Sequence, residues 1–248
     1  MTTHQETLGL YGKLPVFGDF VVRQLTSEFV NAWDGWLQEV LANSHQLLGD
    51  SWLEIYMLAP TWRFIVGPDI LGGNAWIGIM LPSVDRVGRY FPLTLALPIS
   101  PQTDIAQTYL ANDGWFRAIE DLGMDALKQD LDFKEYEVRL NRFPKPAHVD
   151  MQENEDTIPL NTTIPEPTEN LASFYARASQ DDNFKERTSQ IRYAISGALK
   201  PVSLWGAEFA DTQEHLLLAT ESLPNKEVYC ALLDRSFEAH GWIDVTKR

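Results

Sequence analysis

The chain has 248 residues and carries 35 acidic against 20 basic side chains, a formal net charge of -15, so its surface field repels nucleic acid and anionic lipid, both of which require clustered Lys and Arg. Hydrophobic residues make up 44% and charged residues 22%, which excludes an intrinsically disordered chain and allows a core burying about 70–75% of the unfolded surface. Cys230 is the only cysteine, so an intrachain disulfide and a thiolate metal cluster are excluded; with no signal peptide and no apolar run of about 18 residues, the expected compartment is the cytoplasm, without membrane insertion.

From Ser27 to Asn43, Phe29, Val30, Trp33, Trp36, Leu37, Val40 and Leu41 recur at spacings of three and four, which predicts a helix capped by Ser27 or Thr26. Trp52 to Leu58 is apolar but short and stops near Pro60, so period does not separate helix from strand there. WRFIV, AWIGIML and RYFPLTLALP, between Trp62 and Pro98, are aromatic and β-branched runs broken by turn residues, and three strands are expected. The helical period returns at Ile105 to Leu110 and through Trp115, Ile119 and Leu122 toward Leu127 and Leu131; Phe133 to Phe143 is ambiguous.

Between Ala147 and Ala176 there is no Lys or Arg, while Asp150, Glu153, Glu155, Asp156, Glu166 and Glu169 gather beside Pro159, Pro165 and Pro167. This composition describes an exposed acidic linker or loop over 147–170. Helices are expected at Leu171 to Tyr175 and Phe184 to Ile195, then strands in VSLWGAEF and EHLLLAT and a closing helix in NKEVYCALL. Helices alternate with strands, and WIGIML and LTLALP lack a polar face, as strands covered on both sides do. The expected fold is α/β, a three-layer αβα sandwich with a mixed sheet in one large domain, in which 1–146 and 171–248 flank the acidic segment and share the sheet.

Gly12 and Gly18 bracket five residues and are followed by Asp19, whereas a phosphate loop needs four residues between its glycines and then Lys and Ser or Thr. His4, His45, His148, His215 and His240 stand singly, His4 and His148 in segments where a solvated imidazole is expected, and no spacing suits zinc. No Gly-x-Ser-x-Gly turn is present, and Cys230, within VYCALL, reads as a small buried hydrophobe. No catalytic residue, metal ligand or cofactor is therefore assigned.

Lys13, Asp19, Arg23, Arg63, Asp85, Arg86 and Arg89 instead stand out, because they sit among glycine, proline and aromatic residues in YGKLPVFGDFVVR, TWRF and LPSVDRVGRYFPL. Half-buried at turns and strand ends, they need partners, since an unpaired buried charge costs several kcal/mol. Three roles fit: a network that fixes turns, a protein-docking surface rich in Arg and aromatics, or an anion-binding or catalytic pocket. Trp33, Trp36, Trp52, Trp62 and Trp76 all precede residue 80 and are expected to build the core.

The same segments resemble a known family. Tyr11 to Arg23 carries Gly12, Pro15, Gly18 and Phe20; FVNAWDGWL carries Trp33 and Trp36; APTWRF carries Trp62; and PSVDRVGRYFPLTLA carries Pro82, Ser83, Gly88, Tyr90, Phe91 and Pro92. These blocks, in this order over Leu8 to Pro98, are similar to the N-terminal domain of the TagF family of type VI secretion-associated proteins. The resemblance implies a three-layer α/β sandwich and a non-enzymatic, post-translational repressor of type VI secretion that binds a forkhead-associated (Fha) scaffold protein. Some relatives add a metal-dependent phosphatase domain, for which this chain has neither the room nor the paired Asp clusters. A later Ser-x-Trp-Trp block of the family is altered here, with Ser203 and Trp205 present and Gly206 in the last place. Against this binding role stand a small-ligand or enzymatic Arg/Asp pocket and a structural subunit of the apparatus.

Overall fold

The structure, a computed structural model, describes residues 7–150, 173–179, 203–209 and 214–244. Helix α1 (Ser27–Leu48) begins where the Thr26 hydroxyl accepts from the Phe29 amide at 3.2 Å, satisfying a donor that the first turn leaves unpaired. Its buried residues Phe29, Trp33, Leu37, Val40 and Ser44 form one face. α2 (Trp52–Met57) settles as helix, and the strands β3 (Trp62–Val66), β4 (Ala75–Leu81) and β5 (Leu93–Ile99) follow as antiparallel neighbours.

Helices α3 (Ile105–Ala111), α4 (Asp113–Ala126) and α5 (Phe133–Asn141) come next, so the ambiguous 133–143 stretch is helical, capped by Asp132 on the Lys134 and Glu135 amides. Two short strands that the sequence reading lacked, β1 (Gly9–Gly12) and β2 (Val21–Arg23), pair with each other, and β1 also pairs with β5. In the second half, β6 (Phe174–Ser179), β7 (Ser203–Phe209), β8 (Glu214–Thr220), α6 (Lys226–Asp234) and β9 (Ile243–Asp244) complete the described elements.

The helix expected at Leu171 to Tyr175 is a correction: from Phe174 the chain is strand, because β8 pairs with it from Phe174 to Ser179 and supplies the backbone partners a short apolar run cannot find alone. The expected helix at Phe184 to Ile195 and most of the acidic 147–170 segment lie outside the described residues. The start of that segment is anchored: Asn112 bonds both backbone groups of Ala147, at 2.7 and 2.8 Å, and the Asp104 amide reaches the Val149 carbonyl at 2.8 Å. His148, expected as a solvated imidazole, sits between Thr103 and Asp150 at 3.1 and 2.6 Å.

The nine described strands form one sheet in the order β2-β1-β5-β4-β3-β7-β8-β6-β9, antiparallel except for the β6/β9 pair, so the fold is a mixed α/β domain in which β7 joins the C-terminal strands to β3. Side chains alternate across a strand, and the alternation divides the core. Phe64, Val66, Trp76, Met80 and Trp205 cluster with Phe29 and Trp33 of α1 and Tyr229 of α6. Ile65, Ile77, Ile79 and Leu204 cluster with Tyr109, Phe116, Ile119 and Tyr136 of α3, α4 and α5.

Large rings dominate the first cluster: Phe29 lies 4.2 Å from Trp76 and Trp33 4.8 Å from Phe64, centroid to centroid. At about 25 cal/mol per Å² and ~150–250 Å² per ring, each contributes roughly 4–6 kcal/mol of gross burial. Three of the buried indole N–H groups are matched: Trp33 donates to Thr94 at 2.9 Å, Trp52 to Ser44 at 2.9 Å and Trp62 to the Leu232 carbonyl at 2.8 Å, whereas Trp76 Nε1 is buried without a hydrogen-bond partner. Among the described residues no helix is long and apolar enough to cross a membrane.

Candidate functional site

Strand order brings two loops together. β1 lies beside β5 and β5 beside β4, so the loop after β1, residues 13–20, runs alongside the β4–β5 loop, residues 82–92. At their base Gly12 has φ 135°, and a Cβ there would meet the Pro92 carbonyl oxygen at 2.1 Å. A side chain at 12 is incompatible with this approach on both counts.

Asp85 ties the loops together. Its side chain has no exposed surface, and one oxygen receives Lys13 Nζ at 3.1 Å and Arg89 Nε at 2.7 Å. The other accepts the Val87 and Arg89 amides at 3.0 and 2.9 Å. Burial by itself would raise the Asp85 pKa, but the Arg89 amide and guanidinium, the Lys13 ammonium and the Val87 amide outweigh it and hold the carboxyl well below the usual range. Such a group stays ionised at neutral pH and is poorly matched to proton transfer.

Further bonds fix the same pair of loops. Ser83 Oγ donates to the Lys13 carbonyl at 2.6 Å, the Arg86 amide to the Phe17 carbonyl at 2.9 Å, and the buried Tyr56 hydroxyl exchanges bonds with the Ser83 backbone at 3.0 Å. Lys13 also lies 5.1 Å from the Phe20 ring centroid. The outer rim is open: Arg86, Val87, Gly88, Arg89 and Tyr90 are all exposed, as is Phe20 opposite.

Arg63 does not belong to this cluster. It points to the other face of the sheet, where its guanidinium meets Glu120 through two bonds at 2.6 and 2.8 Å, Asp113 at 3.0 Å and Glu208 at 2.8 Å, and lies 5.5 Å from the Phe116 ring centroid. Burial opposes its charge, yet Glu120 foremost, with Tyr109 and Glu208, keeps it protonated beyond its ordinary range. Arg23 forms a third, separate contact, pairing with Glu137 of α5 and lying 5.1 Å from the Phe133 ring centroid. Asp19 stays exposed and accepts its neighbour's amide, Phe20 N, at 2.8 Å.

The seven charged residues singled out by sequence thus divide: Lys13, Asp85 and Arg89 join; Arg86 and Asp19 flank them; Arg63 and Arg23 go elsewhere. The carboxylates that hold Arg63 and Arg23 were missed by sequence reasoning. Asp113 and Arg117 at helical spacing, bonded at 3.0 Å, signal an ionic face on α4, but nothing local links that face to β3. Of the family-block residues, Trp33 and Trp62 are core, Trp36 is half-buried and donates to the Pro224 carbonyl at 2.7 Å, and Gly88 turns the β4–β5 loop at φ 87°.

The altered block has a structural counterpart. A Cβ at Gly206 would lie 1.7 Å from the Tyr109 hydroxyl oxygen, so the Tyr109 phenol fills the space that a side chain at 206 would take. Ser203 and Trp205 remain bonded to each other at 2.9 Å, and Ser203 also to Thr220 at 2.8 Å.

Comparisons with known proteins place this geometry. Residues 9–143, more than half of the chain, match the model of the TagF N-terminal domain, described as type VI secretion system-associated. The crystal structure of PA0076 from Pseudomonas aeruginosa PAO1 is similar over 93% of this chain and 95% of that one, at 29% identity and a TM-score of 0.72. No curated protein matches.

Proposed function

This chain belongs to the TagF N-terminal domain family of type VI secretion-associated proteins, and on that premise we propose that it is a post-translational negative regulator of type VI secretion that acts by binding a protein and catalyses nothing. The proposed partner is a forkhead-associated scaffold of the apparatus, met in the cytoplasm. The observation that carries this reading is the loop pair held by Asp85, which presents Arg86, Arg89, Phe20, Val87 and Tyr90 to solvent on a fixed backbone. Arg and aromatic side chains are enriched where interfaces gain most of their energy, and a rigid presenting loop loses little entropy on binding. Of the charged residues a ligand or acid–base pocket would recruit, Asp85 is tied up by two cations and Arg63 by three carboxylates, while Asp19 stands exposed on the loop.

The core arrangement supports the finer reading of the fold as a three-layer αβα sandwich, since one apolar cluster recruits α1 and α6 and the other α3 to α5. Regulation is tested by deleting the gene and measuring secretion. Release with unchanged levels of the apparatus proteins is expected; unchanged secretion removes the regulatory reading. Copurification of the scaffold with the wild-type chain, reduced by Arg86→Glu, tests the partner and the face together.

A further inference from the structure

The rim around Gly18 carries an unneutralised positive charge on a chain whose formal net charge is -15. Arg89 donates from one terminal nitrogen to the Gly18 carbonyl, and a terminal nitrogen of Arg86 lies 3.6 Å from where a Gly18 side chain would begin. Two guanidinium groups therefore converge on one glycine. Like charges repel, and of the two carboxylates at the rim Asp85 is already shared between Lys13 and Arg89 while Asp19, exposed, accepts the Phe20 amide, so three cations stand against two anions. Arg23, Arg63, Arg89, Arg117 and Arg139 each meet a carboxylate; among the described residues Arg86 meets none.

Exposed apolar side chains flank the pair. Val87 is 64% exposed and Phe20 42%, while Tyr90 leans on the rings of Trp52 and Tyr56 at centroid distances of 6.1 and 6.0 Å. A guanidinium pair beside apolar surface matches a segment in which a carboxylate stands next to an apolar side chain, because the fork geometry takes a carboxylate through two bonds and the apolar neighbour excludes water. We propose that this rim binds an acidic segment of a protein partner, with an Asp or Glu seated between Arg86 and Arg89 and an adjacent Leu, Ile or aromatic side chain against Phe20, Val87 or Tyr90. The inference rests on the protein-binding reading above and names the chemistry of what is bound. The body of the chain repels such a segment at long range, but that repulsion is screened beyond ~8 Å at physiological ionic strength, so recognition is a contact effect of the two arginines.

The test is selection of short random peptides displayed on phage against the immobilised full-length chain, with recovered peptides measured by fluorescence anisotropy. The expected peptides carry Asp or Glu beside a large apolar residue, and Arg86→Gln weakens them about tenfold, or ~1.4 kcal/mol. Arg142→Gln, which removes the same charge from an exposed position beyond α5, leaves affinity unchanged. Peptides without acidic residues, acidic peptides that bind Arg86→Gln as tightly as wild type, equal loss in the Arg142 variant, or no enrichment would each overturn the proposal. Selection of acidic peptides together with unchanged secretion on gene deletion removes the regulatory reading and leaves this one. Released secretion together with non-acidic peptides removes this one alone.

Discussion

Arg63 and Arg89 are both held by carboxylates, yet their surroundings make them different objects. The Arg63 side chain is 6% exposed and is enclosed by Glu120, Asp113 and Glu208, partners drawn from α4 and β7. In the loop clamp the relation is inverted: the carboxylate of Asp85 is sealed while the Arg89 side chain is 55% exposed. One arrangement consumes a cation inside the fold, and the other buries Asp85 with Lys13 and leaves Arg89 at the surface. Residue type does not separate a structural ion pair from a recognition surface; which member of the pair is desolvated does.

Arg63→Met is the severest way to break this comparison. It takes the buried cation away from Glu120, Asp113 and Glu208, of which Asp113 and Glu208 keep Arg117 and all three keep some solvent, and the expected loss is about 2–3 kcal/mol in urea unfolding. A variant as stable as wild type would mean that Arg63 is not a structural cation. Gly206→Ala acts one strand away, since Gly206 is the register partner of Arg63, and overpacks the Tyr109 phenol. Its expected cost is about 1–3 kcal/mol, with about 1 kcal/mol recovered when Tyr109→Phe is added. Additive effects of the two substitutions would show that their contact carries no strain.

A third measurement sharpens the loop side through pH. Because the Asp85 carboxyl is held below its unfolded value of about 3.9, the unfolded chain takes up protons first as pH falls. The stability Asp85 contributes is therefore fully present well above that value and lost progressively below it. The difference in urea midpoint between wild type and Asp85→Asn should be large at neutral pH and shrink in acid. A difference independent of pH would show that the clamp's ionic character contributes nothing. Arg86→Gln is the smallest expected perturbation: a change below about 0.5 kcal/mol in stability, with the loss confined to binding. Marked destabilisation by Arg86→Gln would move Arg86 from the recognition surface into the fold.

Local pattern alone determined α1, the strands β3, β4, β5, β7 and β8, and the closing helix α6. Each is long enough to show its own period or is bounded by turn residues, and Thr26 capping α1 is a signal written within four residues of the helix start. Where the signal was short, tertiary structure decided. GLYG became β1 only because β2 and β5 flank it, Trp52–Met57 became helix, and Phe174–Ser179 became strand under pairing with β8. The charged residues were legible as needing partners but not as to which: Arg63 found Glu120, 57 positions along the chain, across a sheet face that no sequence period encodes. Hydrophobic period is a property of one element, whereas an ion pair is a property of where two elements meet, and that meeting is fixed only when the strands have chosen their order.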